Sequence, residues 1–137
     1  MVASAGRLKA GDLVKRPPLT ISPKATLLEA VDTMTRYNVG ALVVVRPEDP
    51  ERAVAVISER DIVKALSMRM ALSTPVEAFM STGVISVDAE EPASRVAELM
   101  WRYNIRHVVV TRGGKLHGVV SIRDLVKPDV LRSLCNI

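Results

Sequence analysis

The stretch MTRYNVGALVVVR, Met34–Arg46, returns 66 residues later as MWRYNIRHVVVTR, Met100–Arg112. Met, Arg, Tyr, Asn, two Val and the final Arg are identical between the copies. Farther on, VISERDIVK (Val56–Lys64) returns as VVSIRDLVK (Val119–Lys127), now at an offset of 63. The change of offset places a three-residue insertion in the first copy, inside the polar stretch RPEDPER. A repeat of this length governs the fold, because one unit that cannot bury its own apolar face is completed by its neighbour.

Each copy reads as β-α-β-β-α. A short extended piece opens it, Leu19–Ser22 and then Val84–Val87. Leu27, Ala30, Val31, Met34 and Tyr37 follow at helical spacing, matched by Ala93, Val96, Ala97, Met100 and Tyr103. Thr26 with Glu29 has the form of a capping box, and Pro92 suits a first helical position. A valine-rich strand (Ala41–Val45; His107–Thr111) leads through a turn to a second strand (Ala53–Ile57; Leu116–Val120). Gly113-Gly114 signals a two-residue hairpin. A last helix follows Ser58 and Ser121. The expected fold is mixed α/β, with two such units packed sheet to sheet in pseudo-twofold symmetry. Its expected divisions are an N-terminal arm (1–13), a first repeat (14–70), a linker (71–83), a second repeat core (84–127) and a C-terminal helix end (128–137).

The 137 residues are 48% hydrophobic but only 3% aromatic, so the core is aliphatic. That richness excludes a disordered chain. The longest apolar runs are far shorter than the roughly 20 residues of a membrane span, and no apolar signal segment opens the chain. One cysteine, Cys135, excludes an internal disulfide framework and fits a cytoplasmic setting. The absence of Gln, with three Asn, fits a thermophilic source. A net charge of +4 favours anionic partners without choosing between a polymer and a small phosphorylated molecule.

Chemistry concentrates in two tetrads, Ser58-Glu-Arg-Asp61 and Ser121-Ile-Arg-Asp124, each directly after an apolar strand. Ser-x-x-Asp at a helix start is close to a capping box. It is equally a place where free N–H groups and a hydroxyl hold a phosphate and a carboxylate accepts ribose hydroxyls. Repetition suits both readings, and the motif alone does not decide. Arg106-His107, entering the second valine strand where the first copy has Gly40-Ala41, supply donors for a phosphate or form a solvated strand end. His117 reads as a surface residue, and Met68 and Met70 as helix packing. Two His and one Cys far apart give no metal site, and no nucleophile has a visible base and orienter.

The doubled unit, with YNVGALVVV and YNIRHVVV followed by VISERDIV and GVVSIRDLV, resembles the CBS domain, and two in tandem resemble a Bateman module. The likeness spans about 110 residues and includes GDLVKRPPLTISPKATLLEAV. It implies a non-catalytic regulatory module that binds an adenine nucleotide in clefts between the repeats, AMP first, with ADP, ATP or an adenosyl ligand as alternatives. It also implies a homodimer and a regulated partner protein. Residue by residue, it makes Asp61 and Asp124 ribose ligands and places Ser58 and Ser121 near phosphate, with Arg106, His107, Arg60 and Arg123. Thr20, Ile21, Ile85 and Ser86 would line the adenine pocket, with Val56 and Val119 flanking the ring. Ala55 stands where the second copy has the more usual Gly118, and Gly40-Ala41 cannot supply the charge of Arg106-His107, so unequal occupancy is expected. The competing readings are a basic module for nucleic acid and a structural subunit of a larger complex; the first lacks an aromatic platform for bases.

Overall fold

The computed structural model describes residues 8–135. The first seven residues of the expected N-terminal arm, and the last two of the C-terminal stretch, lie outside the described residues. The chain forms two compact units. The first runs from Leu19 to Val84; the second combines the chain up to Pro18 with the chain from Ile85 onward.

In the first unit β1 (Thr20–Ile21) leads to α1 (Leu27–Tyr37), β2 (Ala41–Val44), β3 (Ala55–Ser58) and α2 (Glu59–Ser67), and a 3-10 turn at Val76–Ala78 closes it. Its sheet has the order β1-β2-β3, with β1 parallel and β3 antiparallel to β2. The second unit begins with a 3-10 turn at Ala10–Leu13. It continues through β4 (Ser86–Asp88), α3 (Ala93–Tyr103), β5 (His107–Arg112), β6 (Lys115–Ser121), α4 (Ile122–Leu125) and α5 (Pro128–Cys135). Its sheet, β4-β5-β6, repeats the same pattern of directions. The mixed α/β fold expected from the repeat is the one observed.

The long helices form where the periodicity places them. Leu27, Ala30 and Met34 are buried on α1; Ala93, Val96, Leu99 and Met100 are buried on α3. The Thr26 hydroxyl caps α1 by accepting the Glu29 N–H at 3.1 Å. Pro92 is the cap of α3 rather than its first residue, and the freed N–H of Ala93 is satisfied instead by the Leu8 carbonyl at 2.8 Å. Both helices end on the Asn of the repeated Tyr-Asn pair. Asn38 and Asn104 each take φ of 52° and turn the chain out of the helix in the left-handed conformation. Gly113 and Gly114, at φ of 61° and 81°, make the expected β5–β6 turn.

The helix after Ser121 departs from the expected length. α4 stops at Leu125, and α5 starts afresh at Pro128. Proline has no N–H to donate and disfavours helical backbone at the residue before it, so Lys127 cannot continue α4. Methionine packing also divides: Met70 packs on the first unit's core, whereas Met68 is exposed at the end of α2. His117 is half-buried, at the irregularity where β6 slips register against Val110 and Thr111.

Alternation sorts each sheet into two faces. Leu42 and Val44 of β2, with Ala55 and Ile57 of β3, face the helices in one aliphatic core. Val108 and Val110 of β5, with Val120 of β6, do so in the other. Val43 and Val109 point to the opposite face, and both are buried as well.

The segments flanking the repeats are structural. Residues 71–83, read from the sequence as a linker, fold into the first unit: Val76 is fully buried, and Ser81 exchanges two 3.0 Å backbone bonds with Val56. The arm's Ala10 and Leu13 are buried in the core of the second unit. The same pattern holds each segment at an offset of 66. Ala10 and Gly11 donate to the carbonyls of Glu91 and Ala89, and Val76 and Glu77 donate to those of Ala25 and Pro23. Lys9 bridges Pro92 as Thr26 bridges Pro75. Lys9 also pairs with Glu90 at 2.7 Å, and that hydrogen-bonded carboxylate raises the lysine's pKa above its ordinary value.

Candidate functional site

Ser58 ends β3 and caps α2; Ser121 ends β6 and caps α4. Each tetrad closes a reciprocal capping box, so the capping reading of the sequence is fulfilled in both copies. Asp61 Oδ2 accepts the Ser58 N–H at 2.8 Å and the Ser58 hydroxyl at 3.0 Å, and the Asp61 N–H donates back to Ser58 Oγ at 3.3 Å. In the second copy the matching distances, for Ser121 and Asp124, are 2.8, 3.1 and 3.4 Å.

The box engages only one oxygen of each carboxylate. Asp61 Oδ1 accepts the Ser81 hydroxyl at 2.8 Å, and Asp124 Oδ1 lies 3.6 Å from the Lys127 ammonium. Both of those partners are side chains that can rotate away, while the backbone holds Oδ2 in place. Each half-buried Asp is therefore a preorganised acceptor with one oxygen directed to an exchangeable partner. The box and an acceptor site are compatible uses of the same residue.

Strand register decides what stands beside each carboxylate. Thr20, Val43 and Val56 are neighbours across the first sheet, and Ala41 opposes Ser58 on the same face. In the second sheet the row is Ser86, Val109 and Val119, with His107 opposing Ser121. Each unit thus gathers a hydroxyl, two valines and the Ser-Asp box on one face. Ile21 lies in the other row, opposite Val44, and packs on the helix-side core; Ile85 packs on the second unit's core. Only the backbone of those two residues is available to the hydroxyl-bearing face.

The basic residues are unevenly placed. The Arg106 carbonyl accepts the Ile122 N–H at 2.9 Å, which sets the backbone of this exposed residue next to the residue that follows Ser121. Gly40 does the same for Glu59 at 3.0 Å in the first copy. Arg60 and Arg123 are the exposed second residues of α2 and α4. Because α4 is a single turn, its dipole is weak. Ser81 and Lys127 were not singled out in the sequence. Lys127 stands inside the repeated phrase, whereas nothing around Ser81 distinguishes it from a linker serine. Among the described residues no group of three His, Cys, Asp or Glu is placed to hold a metal, and no helix is long and apolar enough to cross a membrane.

Comparison with known proteins places this arrangement. The profile of the CBS domain matches residues 10–68 and again residues 76–129. The chain belongs to the CBS domain family. Each match of the pair begins at a 3-10 turn, the segments held by equivalent bonds. A CBS domain protein from Pyrobaculum aerophilum, solved complexed with AMP, is 38% identical to this CBS pair with a TM-score of 0.87. The match covers 94% of this chain and 99% of that one. The CBS domain pair of protein MJ0100, solved in complex with 5′-methylthioadenosine and S-adenosyl-L-methionine, is 28% identical with a TM-score of 0.77, covering 85% and 91% of the two chains. A 17.7 kDa protein from Acidianus ambivalens is 38% identical over 108 residues, 78% of this chain. This CBS pair spans 64% of that relative's length.

Proposed function

We propose that this CBS pair is a non-catalytic regulatory module that binds an adenine nucleotide, AMP first, and signals its occupancy to a partner protein. The observation that carries the reading is the face shared by both units: a backbone-anchored carboxylate with one exchangeable oxygen, beside two valines and two hydroxyls. The likeness to an AMP-complexed CBS protein over nearly the whole chain supports it.

In this reading the ribose hydroxyls donate to Oδ1 of Asp61 or Asp124, displacing the Ser81 hydroxyl or the Lys127 ammonium. Ser58 or Ser121, the tetrad arginines Arg60 and Arg123, and the Arg106-His107 pair address the phosphate. The adenine lies along Val56 or Val119 and meets the backbone of Thr20–Ile21 or Ile85–Ser86. ADP, ATP and adenosyl ligands share the ribose and base and remain within the same class. The working form is a homodimer in the cytoplasm, for which each unit has exposed aliphatic side chains to offer, Val63 and Leu66 of α2 in the first and Val126 after α4 in the second.

Thermal denaturation tests the site. A ligand at 100 times its Kd stabilises the folded state by about 2.7 kcal/mol. AMP at that excess raises the melting temperature, and Asp124→Asn reduces the shift measured from the variant's own baseline. Loss of a charge-assisted hydrogen bond of about 1.5–3 kcal/mol weakens binding roughly 10- to 100-fold. An undiminished AMP shift in Asp124→Asn would remove that residue from the site.

A further inference from the structure

We propose that the two units select different ligands: the second holds a phosphate-bearing adenine nucleotide, and the first holds an adenosyl ligand without phosphate. The inference rests on the nucleotide reading above and adds the chemistry that divides its two sites.

Equivalent backbone bonds at an offset of 66 pair residues 9–11 of the second unit with residues 75–77 of the first, and the same offset is carried along the sequence from there. Lys15 therefore occupies the position of Ser81, and Arg16 that of Thr82. Ser81 reaches the first carboxylate directly, through its hydroxyl on Asp61 Oδ1 at 2.8 Å. By that correspondence Lys15 is assigned to the neighbourhood of Asp124. Its exposed ammonium rests on the Asp12 carbonyl at 3.2 Å, a weak contact that a ligand phosphate can replace. Beside it, Val14 fills the space that Gly118 leaves open on β6, which fixes the segment against the strand carrying Val119.

Three more pairs complete the comparison. Arg106 and His107 match Gly40 and Ala41, as the shared bonds to the next helix show. Ile122 matches Glu59, the first residue of α2. Over these five positions the second unit carries three formal positive charges and an imidazole, whereas the first carries one negative charge, two hydroxyls and two small residues. Arg60 with Lys64, and Arg123 with Lys127, are common to both and do not discriminate. Both units keep the carboxylate for ribose and the valine face for a base. The first lacks the added cations and carries Glu59, a negative charge unfavourable to a phosphate, as the first residue of α2. A neutral or cationic substituent on the 5′ carbon is what that surface accepts.

Calorimetric titration of the full chain with AMP, with 5′-methylthioadenosine, and with one in the presence of the other tests the division. AMP is expected to fill one site per chain, and saturating AMP is expected to leave a second site for 5′-methylthioadenosine. Lys15→Ala combined with Arg106→Ala is expected to weaken AMP at least tenfold without changing 5′-methylthioadenosine affinity. The converse pair of exposed substitutions, Ser81→Lys with Thr82→Arg, is expected to add a second AMP. Competition of the two ligands for a single site, two equal AMP sites in the unmodified chain, or parallel weakening of both ligands in the alanine variant would overturn the division and leave the nucleotide reading standing. Binding of neither ligand would overturn the nucleotide reading itself, and the division with it.

Discussion

A single missing methyl group sets the geometry around β6. A Cβ built on Gly118 would lie 2.4 Å from Cγ1 of Val14 and 3.0 Å from its Cγ2, far inside contact distance. Ala55, at the equivalent place in the first copy, is fully buried and tolerated. The sequence marked Ala55 against Gly118 as a departure between copies but did not reveal its cause, because the residue that needs the space is more than 100 positions away. Gly118→Ala is expected to cost about 1–3 kcal/mol by overpacking. Val14→Ala, destabilising alone, is expected to recover most of that loss in the double variant. Denaturant melts of the four proteins give the coupling, and additive losses would contradict the contact. The tetrads show another limit of legibility at this scale. Their Ser-x-x-Asp spacing foretold the cap, yet the partners of the second carboxylate oxygen, Ser81 and Lys127, appear only once the chain is folded.

At the scale of elements, period and capping chemistry were mostly legible. The apolar rows of α1 and α3, the valine strands and the Gly-Gly turn lie where the pattern puts them, because each is decided by neighbours close in sequence. The ends were less legible. The repeated Asn was visible as part of a phrase common to both copies, but its left-handed backbone at φ of 52° explains why that phrase carries Asn in each. Asn tolerates this conformation better than Ala does, and Gly best of all. Asn104→Ala is expected to lower stability by about 1 kcal/mol, and Asn104→Gly to change it by a few tenths at most. Equal losses in the two variants would assign the role of Asn104 to its side-chain contacts. The break between α4 and α5 was missed because the helical pattern continues through Lys127, while Pro128 interrupts only the backbone bonding.

For the whole molecule, the repeat foretold two units of one pattern but not which stretches complete them. Repeated phrases identify the strands and helices; nothing local shows that residues before Pro18 finish the unit that resumes at Ile85. Burial makes that dependence testable. Ala10 and Leu13 lie in one core with Val87, Val108 and Val120. Removing residues 1–18 is expected to strip hydrogen-exchange protection from β4–β6 while β1–β3 remain protected, since opening is local to the unit that loses its core residues. Unchanged protection in β4–β6 would show that the segment is dispensable.

The function proposed for the molecule rests on a preorganised carboxylate face being filled by an adenine nucleotide. Isothermal titration of the full chain with AMP, ATP and S-adenosyl-L-methionine measures this most directly. Saturable AMP binding well below millimolar is the predicted result. Failure of all three ligands to bind below millimolar would contradict the account.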